Sequence, residues 1–262
     1  MTRTKHVFRQ DVPCLQYAAL GDTAVRVISI YHVVREYELD AIVVPSPRPE
    51  FAMLWTGAFG EQRIVWDPAA IPPEYRFARV SAPTALDWQF GSAGWNVFES
   101  VLWENGFFHT FRMKIEPPIL FRCDPFAHAV MIYPEEQTDG NRIYDASWWI
   151  GTCGLLRAKG YSINYLGSMR CEALDRLHHI AKFDRTFPPT LEGLRDCIAA
   201  SSLAIGGSTG PTWTCLMSDI PQIVLESKKA PHGYWFFDRC QTVLRKRLSI
   251  VSTLDSFVPR LG

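Results

Sequence analysis

Short apolar runs alternate along the chain with longer stretches whose apolar side chains recur at helical spacing, and this alternation predicts strands each followed by a helix. The first pair is CLQYAAL at 14–20, a strand, then Gly21-Asp22-Thr23, then AVRVISIYHVVREYE, where Ala24, Val27, Ile28, Tyr31 and Val34 fall on one helical face. Asp22 and Thr23 therefore stand at a helix start, where a carboxylate serves either as a cap or as a catalytic base. LDAIVVPSP at 39–47 predicts a buried strand stopped by Pro45, FAMLWTGAF at 51–59 a helical or irregular segment, QRIVWD at 62–67 a third strand and RFARV at 76–80 a weak one. Prolines at 68, 72, 73 and 83 break the pattern between 68 and 98, and 99–113 holds a helix interrupted near Gly106. His109 lies there, either as a structural histidine or as a group facing an acceptor.

KIEPPILFRCDP at 114–125, with adjacent prolines, is the expected boundary between two domains, 1–120 and 121–262. The order then restarts. AHAVMIYP at 127–134 predicts a strand, DASWWIGTCGLLRAKG at 145–160 a helix ending at Gly160, and SINYLGS at 162–168 a strand and turn. CEALDRLHHIAK at 171–182 and PTLEGLRDCIAAS at 189–201 are helices; the adjacent His178 and His179 point different ways and make no ligand pair. PQIVLES at 221–227 is a strand and FFDRCQTVLRKRL at 236–248 a final helix. The fold class is thus α/β, two Rossmann-like domains facing a cleft. No GxGxxG follows the first strand, so no dinucleotide fingerprint is present.

One junction stands apart, SLAIGGSTGPTWTC at 202–215, in which an apolar strand runs into a turn of Gly206, Gly207, Ser208, Thr209 and Gly210 and then a helix near Pro211. Backbone N–H groups, hydroxyls and the positive end of a helix dipole converge at such a turn and favour a phosphate, although the same residues also form loops and caps that bind nothing.

Composition narrows the function. The chain has 262 residues, 47% hydrophobic and 21% charged, which suits packed cores rather than disorder. Its 27 Lys+Arg balance 27 Asp+Glu, so charge does not favour nucleic acid or an anionic membrane. Seven scattered cysteines without CxxC spacing read as reduced thiols, several of them buried. The N-terminus lacks the apolar run of a signal peptide and no stretch is long enough to span a bilayer, so a cytoplasmic location is expected. No DxD or His/Asp cluster compels a metal.

Gly21-Asp22 and GGSTGPTW at 206–213, in this order of elements, resemble the two-Rossmann-domain (GT-B) glycosyltransferases, within them the heptosyltransferase-like group that uses ADP-heptose in lipopolysaccharide synthesis. The second stretch is similar to a signature written roughly G-x-D-S-G-P-x-H, with Gly206, Thr209, Gly210 and Pro211 matching or nearly so, Ser208 in place of aspartate and Trp213 in place of histidine. Serine still hydrogen-bonds and removes a negative charge beside a phosphate; tryptophan has no proton chemistry, but its ring can pack beside a base or sugar. The resemblance implies that Asp22 is the general base toward an acceptor hydroxyl and that Arg142, before Trp148 and Trp149, holds the diphosphate with the 207–210 turn. Ser168, Met169 and Glu172 in GSMRCE become candidates for base or ribose contacts, or simply a helix N-terminus. It implies an acceptor domain at 1–120, a nucleotide-sugar domain at 121–262, and inverting transfer to an unidentified hydroxyl, with the nucleotide-diphosphate sugar as co-substrate and neither cofactor nor metal. A same-fold epimerase or hydrolase, a noncatalytic nucleotide-sugar or partner-binding protein, and a glycosyltransferase acting on modified DNA bases are the alternatives.

Overall fold

A computed structural model describes residues 5–9, 19–45, 47–67, 69, 71–77, 101–102, 115–134, 146–167, 182–207, 209–226 and 240–244. The chain divides into two units, Met1–Leu120 and Phe121–Gly262.

In the first unit the strands are β1 (Lys5–Arg9), β2 (Ala41–Val43), β3 (Ile64–Val65) and β4 (Tyr75–Phe77), all parallel in the order β3-β2-β1-β4. Val7 lies opposite Ala41 and Ile42 opposite Ile64, so the apolar run of β2 sits between two neighbours and is buried throughout. Of the strand expected at 14–20, residues 14–18 lie outside the described residues and the end is corrected. Ala19 is the N-cap and Leu20 the first residue of helix α1 (Leu20–Glu36), so Gly21 and Asp22 belong to its first turn rather than to a turn before it. The physical reason is the Asp22 carboxylate, whose Oδ2 accepts the Ala19 N–H at 3.2 Å and so closes the helix start one turn earlier than the apolar spacing suggested. Ala24, Val27, Ile28 and Val34 are buried as that spacing predicts, and Val25, Ile30 and Val33 join them, so α1 is covered on most of its circumference. Helix α2 (Ala52–Phe59) packs on it, the Phe59 ring edge-on to Tyr31 at 6.0 Å and stacked on Trp55 at 6.1 Å.

The second unit holds β5 (Ala129–Tyr133), helix α3 (Ala146–Ala158), β6 (Ser162–Leu166), β7 (Arg185–Phe187), helix α4 (Leu191–Ala199), β8 (Leu203–Gly207), helix α5 (Gly210–Cys215), β9 (Gln222–Glu226) and β10 (Cys240–Leu244). These strands of the described residues are parallel, in the order β10-β9-β8-β5-β6-β7. Renumbered within this unit, that is 6-5-4-1-2-3, the Rossmann order, with its direction of winding reversing between β5 and β8. The final helix expected over 236–248 is also corrected. Cys240–Leu244 is a strand paired with β9 from Cys240–Gln222 to Leu244–Glu226, because Cys240, Val243 and Leu244 satisfy helical spacing and an edge strand equally well, and only the open edge of β9 decides between them. Strand β7, just ahead of Pro188, had no counterpart in the apolar pattern, since Arg185 and Thr186 at this edge are exposed.

Alternation along the strands builds the core. Val130 and Ile132 of β5, Ile163 and Tyr165 of β6, Leu203 and Ile205 of β8, and Ile223 and Leu225 of β9 meet Trp149, Cys153 and Leu156 of α3. Each such aliphatic side chain contributes about 1.5–3 kcal/mol relative to exposure, enough in sum to hold strands of only five residues. Helix α3 gives way to the strand at Gly160, whose φ of +87° is a conformation glycine adopts without strain. Asn164, buried in β6, donates to the Ala200 carbonyl at 2.9 Å and to Ser201 Oγ at 2.8 Å, which fastens the sheet to the turn entering β8.

Candidate functional site

Parallel α/β sheets bind ligands beyond the carboxyl ends of their strands, where the winding reverses. In the second unit those ends are Tyr133 of β5 and Gly207 of β8, and the junction of β8 with α5 therefore begins at the switch point. Gly206 lies opposite Tyr133 in the ladder. A Cβ on Gly206 would stand 1.8 Å from Tyr133 Cε2, so this glycine admits a ring and is part of the strand, not of the turn. Gly207 ends the strand.

Beyond it the Thr209 N–H donates to the Gly207 carbonyl at 2.9 Å, and Thr212 Oγ1 donates to the same oxygen. Thr209 is the N-cap of α5, yet its side chain makes no cap bond, and its Oγ1 is buried with no hydrogen-bond partner among the described residues. In the first turn Gly210 and Thr212 carry N–H groups that have no acceptor inside the helix, and Pro211 carries none. No acidic side chain sits there. The arrangement offers donors and no negative charge, which is what an anion requires. The donor set differs from the expected 207–210 backbone, because the Thr209 N–H is used internally.

Of the nucleotide-side candidates, Gly207, Thr209 and Gly210 meet at this junction, and Trp213 lies in α5 at 7% exposure, presenting little of its ring to a ligand. Ser208, Arg142, Ser168, Met169, Glu172 and His109 lie outside the described residues. In the first unit Asp22 is exposed at the start of α1, one oxygen accepting from Ala19 N–H and its backbone carbonyl accepting from Arg26 at 3.2 Å. A carboxylate can accept at both oxygens, so this bond leaves Asp22 able to take a further proton or hydrogen bond.

Cys153 and Cys197 are buried free thiols, and Cys215 is buried as well. Burial pushes the Cys153 thiol up to about 12, and burial with the neighbouring Asp219 carboxylate pushes half-buried Cys123 up to about 12, so neither is a nucleophile at neutral pH. Burial works against the charged form of Asp219, but the Cys123 N–H at 2.7 Å and Arg122 at 3.0 Å outweigh it and hold the carboxyl below its ordinary range. Burial likewise lowers His32, against the pull of Glu36 at 3.1 Å. Among the described residues no group of three or more His, Cys, Asp or Glu is arranged to hold a metal, and no helix is long and apolar enough to cross a membrane.

No protein-family model matches the sequence, and no curated protein does. Solved structures do match in shape. E. coli heptosyltransferase WaaC, solved with ADP-2-deoxy-2-fluoro heptose, superposes with a TM-score of 0.52 over 98% of this chain and 99% of its own at 11% identity. E. coli ADP-heptose lipopolysaccharide heptosyltransferase II gives 0.56 over 98% of each chain, and a glycosyl transferase of family 9 from Veillonella parvula gives 0.50 over 98% of this chain and 90% of its own, both at 11% identity. The chain has the fold of these glycosyltransferases. The resemblance read from Gly206–Trp213 therefore holds at the level of fold, and at such identity it transfers no residue role by itself.

Two residues at the junction had no functional reading in the sequence. Tyr133 was visible only as the end of an apolar strand and Thr212 only as a helix residue after Pro211; the ladder pairing of Tyr133 with Gly206 is what brings them together.

Proposed function

We propose that the chain is a glycosyltransferase that moves a sugar from a nucleotide-diphosphate sugar to a hydroxyl acceptor, with inversion and without a metal or other cofactor. The observation that carries this reading is the β8–α5 junction, an acid-free helix start at the switch point of a Rossmann-ordered sheet, in a chain folded like enzymes of which one was solved with an ADP-sugar. The donor diphosphate would lie against the N–H groups of Gly210 and Thr212, with Arg142 supplying the countercharge and Ser168, Met169 and Glu172 the base and ribose contacts. On the acceptor side, Asp22 takes the hydroxyl proton as the oxygen bonds the anomeric carbon and the bond from that carbon to the diphosphate oxygen breaks. His109 is assigned to the acceptor, and the reaction to the cytoplasm.

A second reading has one specific observation in its favour. The Asp22 carboxylate already serves its own helix start, which is the whole of its role if the chain binds a nucleotide sugar without transferring it. Incubating the full chain with ADP-, UDP-, GDP-, CDP- and dTDP-sugars separates these readings. Nucleotide release that depends on an added alcohol acceptor is the expected result. Release without acceptor indicates hydrolysis, binding without turnover indicates the noncatalytic reading, and no binding of any nucleotide sugar overturns both.

A further inference from the structure

We draw no further inference here: the strongest candidate, the side-chain cluster of Arg122, Cys123 and Asp219 where the chain enters the second unit, carries nothing beyond the fold, because Asp219 accepts the Cys123 N–H at 2.7 Å and Arg122 at 3.0 Å to tie that entry to the residues before β9, and nothing among the described residues there points to a ligand.

Discussion

Two helix starts in this protein solve the same physical problem in opposite ways. At α1 the first turn carries its own anion: Asp22 accepts the Ala19 N–H, and the positive end of the helix is partly neutralised from within. At α5 the first turn carries no acid, the Thr209 side chain makes no cap bond and its hydroxyl is buried without a partner among the described residues. A closed start presents a carboxylate to its surroundings, and an open one presents hydrogen-bond donors. Under the proposed function the two starts would serve different steps, one taking a proton and the other receiving a leaving diphosphate.

The strongest way to break the comparison is Asp22→Asn. If Asp22 is the base, acceptor-dependent turnover falls by about 10²–10⁴ while donor affinity holds, whereas a carboxylate that only caps α1 leaves turnover near wild type. Steady-state rates beside donor titration decide it. Arg142→Ala comes next, with an expected loss of about tenfold to a hundredfold in nucleoside diphosphate affinity and a smaller effect on turnover at saturation. Gly206→Ala tests the packing beneath the open start. The added methyl meets the buried Tyr133 ring, so urea unfolding is expected to show a loss of about 1–3 kcal/mol.

Thr190→Ala serves as a reference outside both junctions, because Thr190 accepts the Gly193 N–H at 3.1 Å and caps α4 in the ordinary way; about 1 kcal/mol of stability and no change in ligand affinity are expected. The smallest effect concerns α1 itself. Burial holds His32 below its ordinary value, so the unfolded chain takes up the proton first, and this contribution to stability, complete above the unfolded pKa of about 6.5, is lost as pH falls through the lower folded value. His32→Gln should flatten the acid side of a stability profile measured by urea titration at a series of pH values.

Much of the second unit was legible in order because its strands are buried on both faces and therefore read as continuous apolar runs. AVMIY, SINYL, LAIGG and QIVLE all became strands, and α3 and α4 fell where helical spacing placed them. The edges were less legible. RTF at 185–187 is too polar to announce a strand, and CQTVL at 240–244 carries apolar positions compatible with either period. Near the start of the chain KHVFR had no strand reading, because what makes it one is pairing with two neighbours that lie far along the sequence.

By itself the sequence determined much of the alternation of elements, an apolar face on α1, and the presence of a strand-to-helix junction ahead of Pro211, since these follow from local periodicity and backbone preference. Only the tertiary structure decided that this junction stands at the reversal of a Rossmann-ordered sheet, that Asp22 caps its own helix, and that Gly206 serves the Tyr133 ring. The reason is that strand order, ladder register and the direction of a side chain depend on contacts between residues as far apart as Tyr133 and Thr212, and local spacing carries no record of which distant residue will lie opposite.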